Sequence, residues 1–219
     1  MKFEAILFDC DGVLVDSEPI VNGVLRDLLE EAGWAMTLAE CMATFVGKAV
    51  RDERALIAAR TGRPVTDDWM AAFYARRNQA LREGLAAIDG APEAVVAAHA
   101  RMDGRIACAS GADRFKVEMQ LTQVGLMRYF DGRVFSGHEM PRSKPAPDVY
   151  LAAAAHLGAT GRVCLVIEDT PTGVAAGVAA GATVWALYPT PALAPGLQAA
   201  GAARLFGHMD ELTALLGAP

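Results

Sequence analysis

Phe8-Asp9-Cys10-Asp11-Gly12-Val13-Leu14-Val15-Asp16-Ser17 is the stretch on which the reading of this chain turns. It follows Ala5-Ile6-Leu7-Phe8, an apolar run with the length and bulk of a buried strand. Asp9 and Asp11 are two residues apart, and residues i and i+2 of an extended segment point to the same side. Gly12 then lets the chain turn off the strand end. Adjacent carboxylates repel unless they share a cation or a proton. The pair therefore points to Mg²⁺, an ion held through carboxylates, water and phosphate oxygens.

Working outward, the next segments are helical. Ile20, Val21, Val24, Leu25, Leu28 and Leu29 follow helical spacing between Pro19 and Ala32, and Gly33 supplies a stop. Thr37 and Glu40 form a capping box for a second helix through Phe45. A third helix is expected from about Val50 to Thr61, and a fourth, carrying Trp69, Met70, Phe73 and Tyr74, runs to Glu83. From Pro92 the pattern alternates. Strands are expected at Arg105–Ala109, Arg133–Phe135, Val163–Ile167 and Ala182–Leu187. Helices are expected at Pro92–Ala100, Asp113–Gln123, Pro147–Leu157 and Pro171–Ala180. Alternation of this kind implies a parallel sheet covered on both faces, which the first strand must join. The fold class is α/β, a doubly wound, mainly parallel sheet with an inserted α-helical cap domain. The core comprises residues 1–15 and 88–219 and the cap residues 16–87. Hinges are expected near Leu14–Ser17 and Ala86–Ala91.

Composition narrows the function. The 219 residues carry a net charge of -6, so there is no basic footprint for nucleic acid. Cysteines 10, 41, 108 and 164 show neither metal-ligand spacing nor the density of a secreted disulfide framework. No signal pattern opens the chain, and its longest apolar stretch, Gly173 to Leu187, is too short to span a bilayer. A cytoplasmic protein acting on a small molecule, without nucleic acid or membrane and as a monomer or weak homodimer, is the expectation.

Ligands of such sheets bind beyond the carboxyl ends of the strands. There the first strand delivers Asp9 and Asp11, and Ile106-Ala107-Cys108-Ala109 delivers Ser110-Gly111, a hydroxyl and a flexible amide suited to a phosphoryl oxygen. Ser143-Lys144-Pro145-Ala146-Pro147-Asp148 places a lysine at a helix start. Cys164-Leu165-Val166-Ile167 delivers Glu168-Asp169, with Thr170 as N-cap and Pro171 at the first helical position. Each feature alone is an ordinary turn, cap or surface charge. All four at the ends of one sheet make a site.

These motifs, Phe8 to Glu18, Lys144-Pro-Ala-Pro-Asp148 and Glu168-Asp-Thr-Pro-Thr-Gly173, resemble those of the haloacid dehalogenase superfamily over essentially the whole chain. The branch resembled is the Rossmann-like phosphatases and phosphomutases with a helical cap after the first strand. The resemblance implies that Asp9 is the nucleophile and Asp11 the general acid/base, with Ser110 and Lys144 holding the phosphoryl group. It implies Mg²⁺ on the Asp9 carboxylate, the Asp11 backbone carbonyl and Asp169, with Glu168 a direct or outer ligand. The substrate site would include Gly12, Ser110, Gly111 and Lys144, joined from the cap by Lys48 and Arg51. Dehalogenation is disfavoured because the dehalogenases lack an acid at the position of Asp11. The mutases carry a histidine in the first cap segment, and Glu18-Pro-Ile-Val-Asn-Gly23 has none. The expected substrate is therefore a small phosphorylated metabolite, with a β-phosphoglucomutase-like phosphomutase as the rival and a catalytically silent binding protein behind it. The opening motif and Phe135-Ser-Gly-His-Glu-Met-Pro-Arg-Ser-Lys144 look most like 6-phosphogluconate and sugar-phosphate phosphatases.

Overall fold

A computed structural model describes residues 3–188 and 190–217. Six strands form one parallel sheet: β1 (Ala5–Phe8), β2 (Ile106–Ser110), β3 (Val134–Ser136), β4 (Cys164–Glu168), β5 (Thr183–Leu187) and β6 (Arg204–Phe206). Their order is β3-β2-β1-β4-β5-β6, so β1 lies in the middle and the order reverses between β1 and β4. Open α/β sheets bind ligands at that switch point. All four residues of β1 are buried, as a strand covered on both faces requires.

The chain divides into two compact units, residues 1–15 with 87–219 and residues 16–86. The chain passes from one to the other twice, and the core-side ends of the two crossings are paired. Val15 bridges Ala87 antiparallel, and the Ile88 amide donates to the Leu14 carbonyl at 3.1 Å.

The helical unit holds α1 (Glu18–Glu31), α2 (Leu38–Phe45), α3 (Arg54–Thr61) and α4 (Asp67–Gly84). The Thr37 and Glu40 side chains cap α2 reciprocally. Leu25, Leu28, Leu29, Cys41, Phe45, Ile57, Met70 and Phe73 form its core. The third predicted helix is divided. Val50–Glu53 form a single 3₁₀ turn and α3 begins at Arg54, with the left-handed Gly62 (φ 68°) ending it. In the core unit α5 (Ala91–Arg101), α6 (Arg114–Gln123), α7 (Met127–Phe130), α8 (Asp148–His156), α9 (Pro171–Ala179), α10 (Ala194–Ala199) and α11 (Met209–Gly217) surround the sheet.

Strand parity sets what the sheet offers on each face. Ala5, Leu7, Ala107, Ala109, Cys164 and Val166 pack in one cluster with Val149, Tyr150 and Ala153 of α8 and Val174 and Ala176 of α9. Phe8 points the other way, edge-on to Phe130 of α7 at 6.1 Å. Glycine brings α9 close to the sheet: a Cβ at Gly177 would lie 2.7 Å from Val184 Cγ2. The four cysteines are buried free thiols. No helix among the described residues is long and apolar enough to cross a membrane.

Candidate active site

β1 and β4 are paired with Phe8 opposite Ile167, which places Asp9 beside Glu168 on continuing the register. Both residues follow the parity of Leu7 and Val166, and so emerge on the face that carries Tyr150. Lys144 reaches into this corner from the segment before α8. Its Nζ donates to Asp9 Oδ1 at 2.6 Å, to Glu168 Oε1 at 2.7 Å and to the Tyr150 hydroxyl at 2.9 Å. The Tyr150 hydroxyl donates to Glu168 Oε1 at 2.7 Å. Glu168 Oε2 accepts from the Asp169 amide at 2.9 Å and the Thr170 amide at 3.2 Å, so the start of α9 holds this carboxylate from behind.

One buried cation therefore faces two buried carboxylates. Burial pushes the Glu168 carboxyl up, but Lys144, Tyr150 and the Asp169 amide outweigh it and hold the group below its ordinary value. Burial works against the Lys144 ammonium too, and the charges of Asp9 and Glu168 hold it well above the usual lysine range. Asp9 bears the imbalance. Desolvation is the largest cause, Lys144 opposes it, the Glu168 and Asp11 charges add to it, and the carboxyl rises to about 7.

The corner is thus short of positive charge, and its geometry suits a divalent ion. One carboxylate oxygen each from Asp9, Glu168 and Asp169 lie within 4.8 Å of one another. An all-oxygen carboxylate set suits a hard divalent cation such as Mg²⁺. Gly12 completes the cradle. At φ +80° a Cβ there would stand 2.0 Å from Asp169 Oδ2, so only a glycine lets Asp169 lie against the turn. Gly12→Ala is expected to displace Asp169 and to cost about 1–3 kcal/mol from the positive φ alone. Thermal unfolding together with Mg²⁺ titration checks this, and unchanged Mg²⁺ affinity would contradict it.

Asp9 and Asp11 take different partners, although the Asp11 charge still acts on Asp9. The chain leaves extended geometry at Cys10 and turns through Gly12, so the i, i+2 rule stops applying. The Asp11 Oδ1 instead accepts from Lys116 Nζ at 2.7 Å and from Gln120 Nε2 at 3.0 Å, both on α6. Ser110 ends β2 next to β1 and is buried, with its Oγ accepting from the Ala112 amide at 3.1 Å. Gly111 follows at the same edge. Lys48 and Arg51 belong to the helical unit, where they lie 3.9 Å from Glu53 and 3.5 Å from Asp52 respectively. Tyr150, Lys116 and Gln120 were not anticipated from the sequence. Their signal was a polar group on an otherwise apolar helical stripe: Tyr150 with Val149 and Ala153, Lys116 and Gln120 with Val117 and Leu121.

A family model for haloacid dehalogenase-like hydrolases matches residues 3–181. The 6-phosphogluconate phosphatase of Escherichia coli K12 is 28% identical over 187 residues, 84% of this chain and 82% of that protein. Hexitol phosphatase B of the same strain is 30% identical over 179 residues, 80% of this chain and 79% of that protein. A hydrolase of the same family from Deinococcus radiodurans, solved with phosphate and sodium bound, is 36% identical and superposes with a TM-score of 0.77, covering 98% of this chain and 95% of that one. With its acidic strand ends, buried lysine and matching sequence, the chain belongs to the haloacid dehalogenase-like hydrolases.

Proposed function

We propose that this enzyme is a Mg²⁺-dependent phosphatase that hydrolyses a small sugar phosphate or sugar-acid phosphate through an aspartyl-phosphate on Asp9. The observation that carries the reading is the buried Asp9 carboxylate, fixed through Oδ1 by Lys144 at 2.6 Å beside Glu168 and Asp169. With Oδ1 so held, Oδ2 is the oxygen offered to phosphorus. Its attack forms the Asp9–phosphorus bond and breaks the bond to the ester oxygen. The leaving alkoxide takes a proton from Asp11. Asp11 then takes one from the water that hydrolyses the acyl phosphate, so that ester and water become alcohol and phosphate.

Phosphoryl transfer is mainly a problem of positioning and charge. Lys144 answers the charge on the equatorial oxygens, and Ser110 and the Gly111 amide, at the next strand end, are the proposed neutral donors. Asp9, Asp169 and Glu168, with the Asp11 carbonyl, would hold Mg²⁺. When bound, the ion supplies further positive charge to the phosphoryl oxygens. Lys48 and Arg51 are the proposed cap contacts to an anionic or polar leaving group. The substrate class follows the named relatives, which act on phosphorylated sugar acids and hexitols.

Because the Asp9 carboxyl is raised to about 7, ion binding must displace its proton on the acid side of that value. Apparent Mg²⁺ affinity is therefore expected to rise with pH through about 7 and to level off above it. Calorimetry in buffers of different ionisation enthalpy reads the protons released. A flat affinity from acid to neutral pH with no release would contradict the assignment of Asp9.

The function is tested by phosphate release from 6-phosphogluconate, hexitol phosphates and hexose phosphates, with Mg²⁺ and with chelator. Turnover that chelation abolishes supports the reading. Silence toward every ester, or turnover indifferent to chelation, overturns it; isomerisation of a sugar phosphate only when primed with a bisphosphate would mark a mutase.

A further inference from the structure

We infer that Lys116 and Gln120 are positioning residues for Asp11, fixing the orientation of its carboxyl for proton transfer. The inference rests on the acid/base reading of Asp11 above. Lys116 Nζ and Gln120 Nε2 both donate to Oδ1, at 2.7 and 3.0 Å. A carboxylate oxygen offers about two lone pairs, so two donors saturate it. The donors are themselves held. Lys116 is 6% exposed and Gln120 fully buried, one helical turn apart on the buried stripe of α6. Cys10 Sγ donates to Gln120 Oε1 at 3.7 Å, which orients the amide with its nitrogen toward Asp11. The first turn of α6 is anchored by the Asp113 carboxylate, which accepts from the Lys116 amide at 2.9 Å. Arg114 grips both oxygens of Glu139, at 2.7 and 2.6 Å, and the Val134 carbonyl at 2.7 Å. The result is a rigid helix presenting two preset donors to one oxygen.

A lysine on a buried stripe is costly unless it is paired. The plain alternative is that Lys116 only neutralises a partly buried acid. The two roles differ in their dependence on the leaving group. An alkyl phosphate expels an alkoxide that needs a proton, whereas p-nitrophenyl phosphate expels a stable phenolate that does not. Lys116→Met keeps the side chain's length without its charge, Gln120→Leu removes the second donor, and Lys116→Arg restores a cation.

The experiment is rapid-quench measurement of phosphoenzyme formation from hexitol phosphate and from p-nitrophenyl phosphate, for wild type, these variants and Asp11→Asn. Lys116→Met is expected to slow formation from the alkyl ester by about 10–100-fold, within the ~10²–10⁴-fold that a placed acid provides. Formation from the aryl ester should change by no more than about threefold, and KM should stay near wild type, because binding is untouched. Lys116→Arg should recover part of the loss. Equal slowing of both esters, or slowing of neither, overturns the inference. If Lys116→Met does not fold, the same ratio in Gln120→Leu decides it. If Asp11→Asn itself leaves the alkyl ester unaffected, the acid/base reading has failed. If Asp11→Asn discriminates between the esters and the α6 variants do not, only the positioning role has failed.

Discussion

Asp9→Asn is expected to abolish phosphate release, with kcat falling on the order of 10⁴–10⁶-fold, the scale seen when an enzyme loses its nucleophile. The substitution preserves size, so the loss would not come from packing. What disappears is the anionic oxygen that Lys144 and the neighbouring strand ends orient. Stability should not fall with it. Asp9 is a buried acid whose ionisation the site resists, raising its carboxyl to about 7, so a neutral amide removes an electrostatic cost. Folding is therefore expected to be unchanged or slightly firmer in chelator at pH 8. Kinetics and urea unfolding on one preparation check both halves. Residual turnover above about a hundredth of wild type would contradict the nucleophile assignment, since other catalytic effects leave far less.

Lys144→Met carries the second large effect, and here both activity and stability are expected to suffer. The ammonium is the cation between Asp9 and Glu168, and all three side chains are at most about a tenth exposed. Removing one partner of a buried pair typically costs about 3–5 kcal/mol, because it leaves an uncompensated charge. The pH dependence has a definite sign. Without the lysine, burial is opposed less at both carboxyls and Asp9 in particular rises further above its unfolded value, so stability is expected to be greatest at acid pH and to be lost as pH rises through the folded value of Asp9. The deficit should be small at pH 5 and large at pH 8. Mg²⁺ should restore part of it by placing another cation among the same oxygens. Urea unfolding at the two pH values, with and without Mg²⁺, checks this. A loss at pH 8 below about 1 kcal/mol, the worth of an exposed ion pair, would mean that the lysine does not neutralise this corner.

Much of this architecture was legible because local signals and global fold agree. β1 spans Ala5–Phe8 as read from its apolar run, and Thr37 with Glu40 forms the capping box that the sequence spells out. The strand-end residues could be found because parallel sheets place their carboxyl ends on one edge, whatever the strand order. β6 escaped. Arg204–Phe206 is three residues long with only one side chain fully buried, too short for any periodicity, and it is a strand only because β5 lies beside it. The same limit hid the partners of Asp11. Lys116 and Gln120 are 105 and 109 residues away in sequence, and only the placement of β2 next to β1 brings α6 to the turn. The paired-carboxylate reading of Asp9 and Asp11 assumed an extended chain, and the turn at Cys10–Gly12 gave each acid its own set of partners.

The measurement that bears most directly on the account is acid-quench trapping of the phosphoenzyme from a ³²P-labelled hexitol phosphate in Mg²⁺, followed by peptide mapping. The account predicts a hydroxylamine-labile label on the peptide carrying Asp9, formed at least as fast as turnover and absent from Asp9→Asn. Rapid turnover with no trapped label, or label on another residue that persists in Asp9→Asn, would contradict it.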